Sequence, residues 1–269
     1  MASRSEALGG FERTSFEAHG ARRDVWRRGE GPSVVVISEL PGITPLLVSF
    51  ARRVVDAGMS VAMPSLFGDD GREPTTSYLL SSLTRVCVSR EFTVLATGRS
   101  SPVVEWLRAL ARAEHERAGG PGVGVVGMCF TGGFALGMMA DAPVIAPVLA
   151  EPSLPFSIGR RRAADVGCSA AELASVKAKV ADGARVMALR FTGDPAVKPA
   201  RFETLRRELG DGVIAVELDS SEGNPYGHRK GAHSVLTEDL VDREGSPTMD
   251  ALHQVLDFLA ERLEVRTAP

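Results

Sequence analysis

The chain has 269 residues, 44% of them hydrophobic and 24% charged, and its formal net charge is −3. This composition predicts a folded protein with a sizeable core and argues against intrinsic disorder. Acidic and basic residues are spread along the chain, so no clustered basic charge predicts nucleic-acid binding. Neither a run of 18 apolar residues nor the apolar centre of a signal peptide is present, which argues against membrane insertion or export.

The cysteine content also argues against an exported protein. The three cysteines, Cys87, Cys129 and Cys168, are too few and too scattered for a disulfide framework. Spacings typical of zinc sites, such as CxxC or HExxH, do not occur. We therefore expect no cofactor and no metal, a reducing cytoplasmic location, and a monomer or small homo-oligomer whose partner is a small molecule.

The order of predicted elements defines the fold class. Residues 1–30 are polar and arginine-rich, and they predict an N-terminal extension with peripheral strands, followed by a single domain over residues 31–269. From there, short β-branched runs alternate with amphipathic segments. Strands are predicted at 34–37, 61–63, 123–126, 144–149, 186–191 and 213–218, and helices at 45–57, 101–118, 169–182, 198–209 and 248–263. This alternation predicts an α/β fold, a doubly wound, mostly parallel sheet with helices on both faces.

One segment between a strand and a helix carries the strongest chemical signal. Residues 127–133 read Gly-Met-Cys-Phe-Thr-Gly-Gly, which is typical of a nucleophile elbow. Small residues avoid clashes in so tight a turn, and the following helix N-terminus favours the thiolate of Cys129. Thr131 stands where many elbows have glycine. The alternative is that Cys129 is only a small buried hydrophobe.

An acid and a histidine follow in the order that a catalytic triad requires. Asp194 comes after the predicted strand 186–191, where it could orient an imidazole, or could only form a turn or cap a helix. His228 and His233 lie in a long stretch after the last predicted strand, and either could be the base. Because reactive groups gather at the carboxyl ends of parallel strands, we expect these side chains to meet.

Several motifs together resemble the dienelactone hydrolase family over roughly residues 30 to 262. They are the cysteine elbow, the strand end Ser-Glu-Leu-Pro-Gly at 38–42, the stretch 58–68, and the pair His233-Ser234. The resemblance implies an α/β-hydrolase fold with Cys129, Asp194 and His233 as the catalytic triad. It favours His233 over His228 because the family's histidine is followed by serine.

The same resemblance assigns further residues. Glu39 corresponds to a family glutamate that could accept the thiol proton, although a buried carboxylate paired with an arginine is an equal alternative. The backbone N–H groups of Leu40 and Phe130 would form the oxyanion hole. Arg90 stands where the family has an arginine that binds a substrate carboxylate, or it forms a structural salt bridge. A second family arginine, expected at 235–237, is absent. This departure argues against a dienelactone as the substrate, although it does not affect the acyl chemistry.

These residues predict a hydrolase with a cysteine nucleophile. It would cleave a small activated ester or lactone, as carboxymethylenebutenolidases do, through a covalent acyl-enzyme. Two alternatives remain open: an acyl transferase or thioesterase that uses the same triad, and a non-catalytic member of the fold that binds a small ligand.

Overall fold

The structure is a computed structural model that describes residues 7–75, 78–79, 82, 101–141, 143–154 and 159–265. Eight strands in the described part form one sheet in the order β1-β2-β4-β3-β5-β6-β7-β8. Their bounds are β1 Glu12–Ala18, β2 Ala21–Arg28, β3 Ser33–Ile37, β4 Ser60–Pro64, β5 Val123–Met128, β6 Val144–Ala150, β7 Val186–Phe191 and β8 Val213–Leu218.

Six of these strands, β3 to β8, run parallel to one another. The N-terminal strands β1 and β2 form an antiparallel pair, and β2 continues the sheet by pairing antiparallel with β4. A mostly parallel sheet brings the carboxyl ends of β3 and of β5 to β8 to one edge, where ligand sites of such folds lie.

Helices connect the parallel strands. They are α1 Pro45–Asp56, α2 Pro102–Ala118, α3 Gly132–Met138, α4 Arg160–Ala163, α5 Ala170–Ala181, α6 Pro199–Leu209 and α7 Pro247–Arg262. The starts of α1, α2 and α7 follow one local rule, since a Ser or Thr side chain accepts a hydrogen bond from the first turn and proline occupies the next position. Such residues satisfy free N–H groups and fix the backbone for helix entry.

The core lies on both faces of the sheet. In β3, Val34 and Val36 point into a cluster with α1 and α7, whereas Val35 and Ile37 point into a second cluster with α2, α3, α5 and α6. All four side chains are fully buried. A strand covered on both faces therefore needs a continuous apolar run, which explains the VVVI pattern.

The predicted α/β fold is confirmed, and most predicted element bounds agree within one or two residues. The clearest difference is that β5 extends to Met128, two residues beyond its predicted end. It does so because Gly127 and Met128 still pair with Leu149 and Ala150 of β6. Of the helices in the described ranges, none combines the length and the apolar character needed to cross a bilayer.

Candidate active site

Five polar side chains meet at the carboxyl edge of the sheet. Glu39 lies just after β3, Cys129 directly after β5, Glu151 directly after β6, and Asp194 just after β7. His233 belongs to the long segment between β8 and α7. The structure therefore brings together Cys129, Asp194, His233 and Glu39, which the sequence predicted as neighbours. It adds Glu151, which the sequence analysis did not select.

The turn at Cys129 has the geometry of an elbow. Cys129 adopts a φ of 56°, a left-handed conformation that side chains other than glycine rarely take. A Cβ atom at Gly127 would collide with the carbonyl oxygen of Thr131, so glycine is needed there. The Thr131 hydroxyl accepts a hydrogen bond from the Met128 N–H at 2.8 Å, and its proton can be donated to the carbonyl of Met128 at 2.7 Å or to that of Ile37 at 3.1 Å. Thr131, which stands where many elbows have glycine, therefore contacts both the elbow and the end of β3.

The imidazole of His233 is held by Asp194. Nδ1 of His233 lies 2.6 Å from Oδ2 of Asp194, whose side chain is only 1% exposed. The other carboxylate oxygen of Asp194 accepts the N–H of Ala196 at 2.8 Å. Asp194 therefore contacts both the backbone of its own Asp-Pro turn and the imidazole of His233.

His228 occupies a different environment. Its ring packs edge-on against Phe191, with the centroids 5.1 Å apart, and burial lowers its pKa. Its Nε2 atom is buried and has no hydrogen-bond partner among the residues that the structure describes. His228 is thus a packing residue beside the site, whereas His233 is the histidine that contacts Asp194.

The thiol, the imidazole and one carboxylate form a compact group. Sγ of Cys129, a ring nitrogen of His233 and a carboxylate oxygen of Glu39 all lie within 4.8 Å of one another, close enough to share a metal ion. Nε2 of His233 is 3.9 Å from Oε2 of Glu39. Burial alone would lower the pKa of His233, but hydrogen bonds with Asp194 and Cys129 raise it overall. The imidazolium is therefore stabilised at this position.

Glu39 is the second charged neighbour of His233. Burial raises the pKa of Glu39, and the positive charge of His233 together with hydrogen bonds from Ser234 and Thr237 opposes that shift. The Thr237 hydroxyl donates to Oε1 at 3.2 Å. No arginine within the described ranges forms an ion pair with Glu39, so the arginine-paired alternative finds no partner there.

Of the two predicted oxyanion donors, Leu40 lies shortly after β3 and Phe130 directly follows Cys129. The ring of Phe130 packs against Phe67 and Phe134, with centroids 5.2 and 5.7 Å away, which fixes the backbone directly after Cys129. In the described part of the chain, the backbone N–H of Leu40 has no acceptor. The predicted substrate-binding residue Arg90 lies outside the described residues.

Ser153 is a contact of the thiol that the sequence analysis missed. Its hydroxyl oxygen lies 3.0 Å from Sγ of Cys129, and its backbone N–H donates to the Cys129 carbonyl at 3.0 Å. The side chain of Arg201, which is also buried, holds the backbone next to Ser153. It donates hydrogen bonds to the carbonyls of Pro152 and Arg162 at 2.6 and 3.0 Å. Nothing in the sequence marks Ser153, because its partner is 24 positions away in an adjacent turn.

Glu151 could have been found, because it occupies a strand end as Glu39 does. It is fully buried and adopts a φ of 38°. Oε2 accepts the backbone N–H of Val235 at 3.0 Å, whereas Oε1 has no partner among the described residues. Burial, followed by the nearby charge of Glu39, raises the pKa of Glu151 well above its ordinary value. Glu151 therefore links the end of β6 to the segment that carries His233.

A second carboxylate fixes the same segment. Oδ2 of Asp239 accepts the backbone N–H groups of His233 and Ser234 at 2.7 and 3.2 Å. The Arg229 side chain donates to both oxygens of Asp239, at 2.7 and 2.9 Å. No sequence pattern marked Asp239, since a carboxylate in a polar loop is usually solvated.

A parallel sheet with a thiol on a strained elbow, next to an imidazole held by a buried carboxylate, defines the α/β-hydrolase class. The sequence model of the dienelactone hydrolase family matches residues 23–261. The chain belongs to the dienelactone hydrolase family.

Several solved structures share this fold. A Klebsiella pneumoniae protein described as a dienelactone hydrolase is 18% identical, with 93% of this chain and 98% of that chain covered and a TM-score of 0.63. A cold-adapted esterase from an Arctic intertidal metagenomic library is 15% identical, with 95% and 98% covered and a TM-score of 0.59. A dienelactone hydrolase-like promiscuous phosphotriesterase from metagenomic libraries is 18% identical, with 94% and 98% covered and a TM-score of 0.55. A search of curated protein sequences found no match.

Proposed function

We propose that this protein hydrolyses a small activated ester or lactone through a covalent thioester on Cys129. The observation that most supports the proposal is the 2.6 Å hydrogen bond from His233 to Asp194, with the Cys129 sulfur beside the same imidazole. This arrangement matches the roles of nucleophile, base and orienting acid. Solved neighbours described as an esterase and a phosphotriesterase are consistent with ester substrates. We also propose a reducing cytoplasmic location, which would keep such a thiol free.

In the proposed acylation step, Nε2 of His233 takes the thiol proton and the thiolate attacks the carbonyl carbon. The oxygen that becomes negative would accept hydrogen bonds from the backbone N–H groups of Leu40 and Phe130. The C–O bond of the ester then breaks, and His233 returns the proton to the leaving alkoxide. Asp194 stabilises the imidazolium that forms between these transfers. Glu39, 3.9 Å from Nε2, offers a second acceptor for the thiol proton.

Deacylation repeats the sequence with water. His233 accepts a proton from water, the hydroxide equivalent attacks the thioester carbonyl, and the carboxylic acid is released as the thiol regains its proton. The His233 side chain is 22% exposed, so water can reach the imidazole. A thiolate is a good leaving group, which favours activated acyl groups over unactivated amides.

The test is the reaction with p-nitrophenyl acetate, followed by rapid acid quench and intact-mass measurement. We expect a transient adduct of about 42 Da on the Cys129 peptide and turnover of the ester. Cys129→Ala should remove both the adduct and the turnover. The matched control is Cys168→Ala, because Cys168 is largely buried and its pKa is raised by that burial, so this variant should react normally.

Three outcomes would count against the mechanism or the activity. Undiminished turnover by Cys129→Ala would exclude the thioester route. Turnover that requires an added alcohol or thiol would favour an acyl transferase. The absence of any adduct across a series of short activated esters would favour a binding protein without catalysis.

A further inference from the structure

The geometry points to a second use of the same side chains: Cys129, His233 and Glu39 form a binding site for a thiophilic divalent cation such as Zn²⁺, and the bound ion silences the thiol. The binding site itself does not depend on ester hydrolysis. The silencing rests on the proposed function, because it is the proposed nucleophile that becomes a ligand.

The three donors form a chemically suitable set. Zn²⁺ binds thiolate, imidazole and carboxylate, and sites with three protein donors leave the fourth position to water or another small ligand. Among the described residues, this is the one group of three such side chains with donor atoms close together. All three side chains are partly exposed, with Glu39 at 14% and His233 at 22%, so an ion can enter from solvent.

The spacing is close to that of a tetrahedral site. With metal–ligand bonds of about 2.0–2.3 Å, donor atoms in such a site lie roughly 3.3–3.7 Å apart. Nε2 of His233 and Oε2 of Glu39 are 3.9 Å apart, and the donor atoms of all three residues lie within 4.8 Å of one another. To form a tetrahedral site around one ion, the donor atoms would have to approach one another by about an ångström at most.

The surroundings of the donors resemble a prepared ligand set. Histidine ligands of zinc usually donate their second ring N–H to a carboxylate, which fixes the ring and makes it more basic. Nδ1 of His233 makes that contact with Asp194 at 2.6 Å, which leaves Nε2 for a metal. Glu39 is held in turn by the Thr237 hydroxyl at 3.2 Å, and Sγ of Cys129 lies 3.0 Å from the Ser153 hydroxyl.

Metal binding and the thiol chemistry exclude each other. The cation replaces the thiol proton, which is released to solvent, and the lone pairs of sulfur and Nε2 are then used in coordination. Neither atom can then attack a carbonyl or move a proton. Excess Zn²⁺ is therefore expected to inhibit ester turnover, and a chelator is expected to restore it.

The experiment uses the full chain without substrate. Co²⁺ serves as the spectroscopic probe, because thiolate coordination gives it a charge-transfer absorption in the near ultraviolet, and calorimetry with Zn²⁺ gives stoichiometry. We expect one ion per chain, a cobalt–thiolate band, and labelling of Cys129 by a disulfide reagent slowed at least about tenfold until a chelator is added. Cys129→Ser should remove the band, and Glu39→Gln should weaken Zn²⁺ binding by roughly tenfold or more.

Cys168→Ser is the matched control and should change neither binding nor the band, since Cys168 belongs to a separate, largely buried environment. Zn²⁺ binding that is unaffected by Cys129→Ser and His233→Ala, or the lack of a cobalt–thiolate band, would overturn the proposal. If the band forms although no ester is ever hydrolysed, the metal site stands and the proposed function fails. If esters are hydrolysed and no band forms, the proposed function stands and the metal site fails.

Discussion

Glu151 is a carboxyl group with no exposed surface at the carboxyl end of β6. Its environment favours the protonated form, because burial raises its pKa and the nearby Glu39 adds to that shift. One oxygen accepts the backbone N–H of Val235, two residues beyond His233. At the scale of single residues, Glu151 therefore supports the histidine through the backbone.

Two substitutions of Glu151 distinguish the contribution of this hydrogen bond to stability from that of a negative charge. Glu151→Ala leaves the Val235 N–H without its acceptor, so we expect the free energy of unfolding to fall by about 1–3 kcal/mol. Glu151→Gln keeps an acceptor oxygen and mimics the neutral acid, so the loss should stay below about 1 kcal/mol. Urea denaturation at neutral pH measures both. Equal losses for Gln and Ala would show that the negative charge, rather than the neutral acceptor, is needed.

The segment between β8 and α7 delivers His233 without any regular secondary structure of its own. Its position depends on individual hydrogen bonds, above all those from the backbone of His233 and Ser234 to Asp239. The Asp239 side chain is 9% exposed, whereas its partner Arg229 is 64% exposed. The Asp239 carboxylate, rather than Arg229, therefore holds the segment that carries His233.

We expect Asp239→Ala to lower kcat for ester hydrolysis by roughly 10- to 100-fold with little change in KM, because a shift of the imidazole by an ångström impairs proton transfer. Arg229→Met should leave kcat nearly unchanged, since an exposed ion pair contributes at most about 1 kcal/mol. Steady-state kinetics on both variants, with circular dichroism as a folding control, makes the comparison. A rise in KM alone for Asp239→Ala would contradict a positioning role.

At the scale of the whole molecule, the sequence predicted the fold better than it predicted the site. Strands such as VVVI were visible because both sheet faces are buried, which requires an uninterrupted apolar run. Cys129, Asp194 and a histidine at 228 or 233 could be selected because each follows a predicted strand, and the family resemblance favoured His233. The structure brings Cys129, Asp194 and His233 together. Their catalytic roles remain a proposal.

Other features of the site were not visible, because they depend on distances between remote parts of the chain. Ser153 and Cys129 share no motif spacing, so their contact was not predicted. Cys129, Glu39 and His233 were predicted as neighbours, but the short distances between their donor atoms follow only from the folded structure. The expectation that no metal binds came from short-range patterns such as CxxC. Such patterns cannot detect donors that come from three separate segments of the chain.

An ion-paired carboxylate in the outermost strand, β8, allows a prediction about the pH dependence of stability. Glu217 in β8 accepts hydrogen bonds from Arg190 in β7 and Arg206 in α6. Burial would raise the pKa of Glu217, but these two arginines outweigh it and lower the pKa below the ordinary 4.5. A carboxyl whose pKa is depressed on folding stabilises the protein above its unfolded pKa, and this stability is lost as the pH falls through the folded value.

We therefore expect Glu217→Gln to lower the free energy of unfolding by about 1–3 kcal/mol at pH 7. The difference from the wild type should shrink as the pH falls from about 5 to 3, where the wild-type carboxyl gains its proton. Urea denaturation across this pH range measures it. A difference that stays constant with pH would show that the arginine contacts do not favour the ionised form.

The hydrogen bond from Thr237 to Glu39 joins positions 198 residues apart. The candidate site therefore forms only when segments far apart in the sequence have come together, and closing so long a loop is slower than forming local helix contacts. In a refolding experiment, we expect ester turnover to return later than helical circular dichroism.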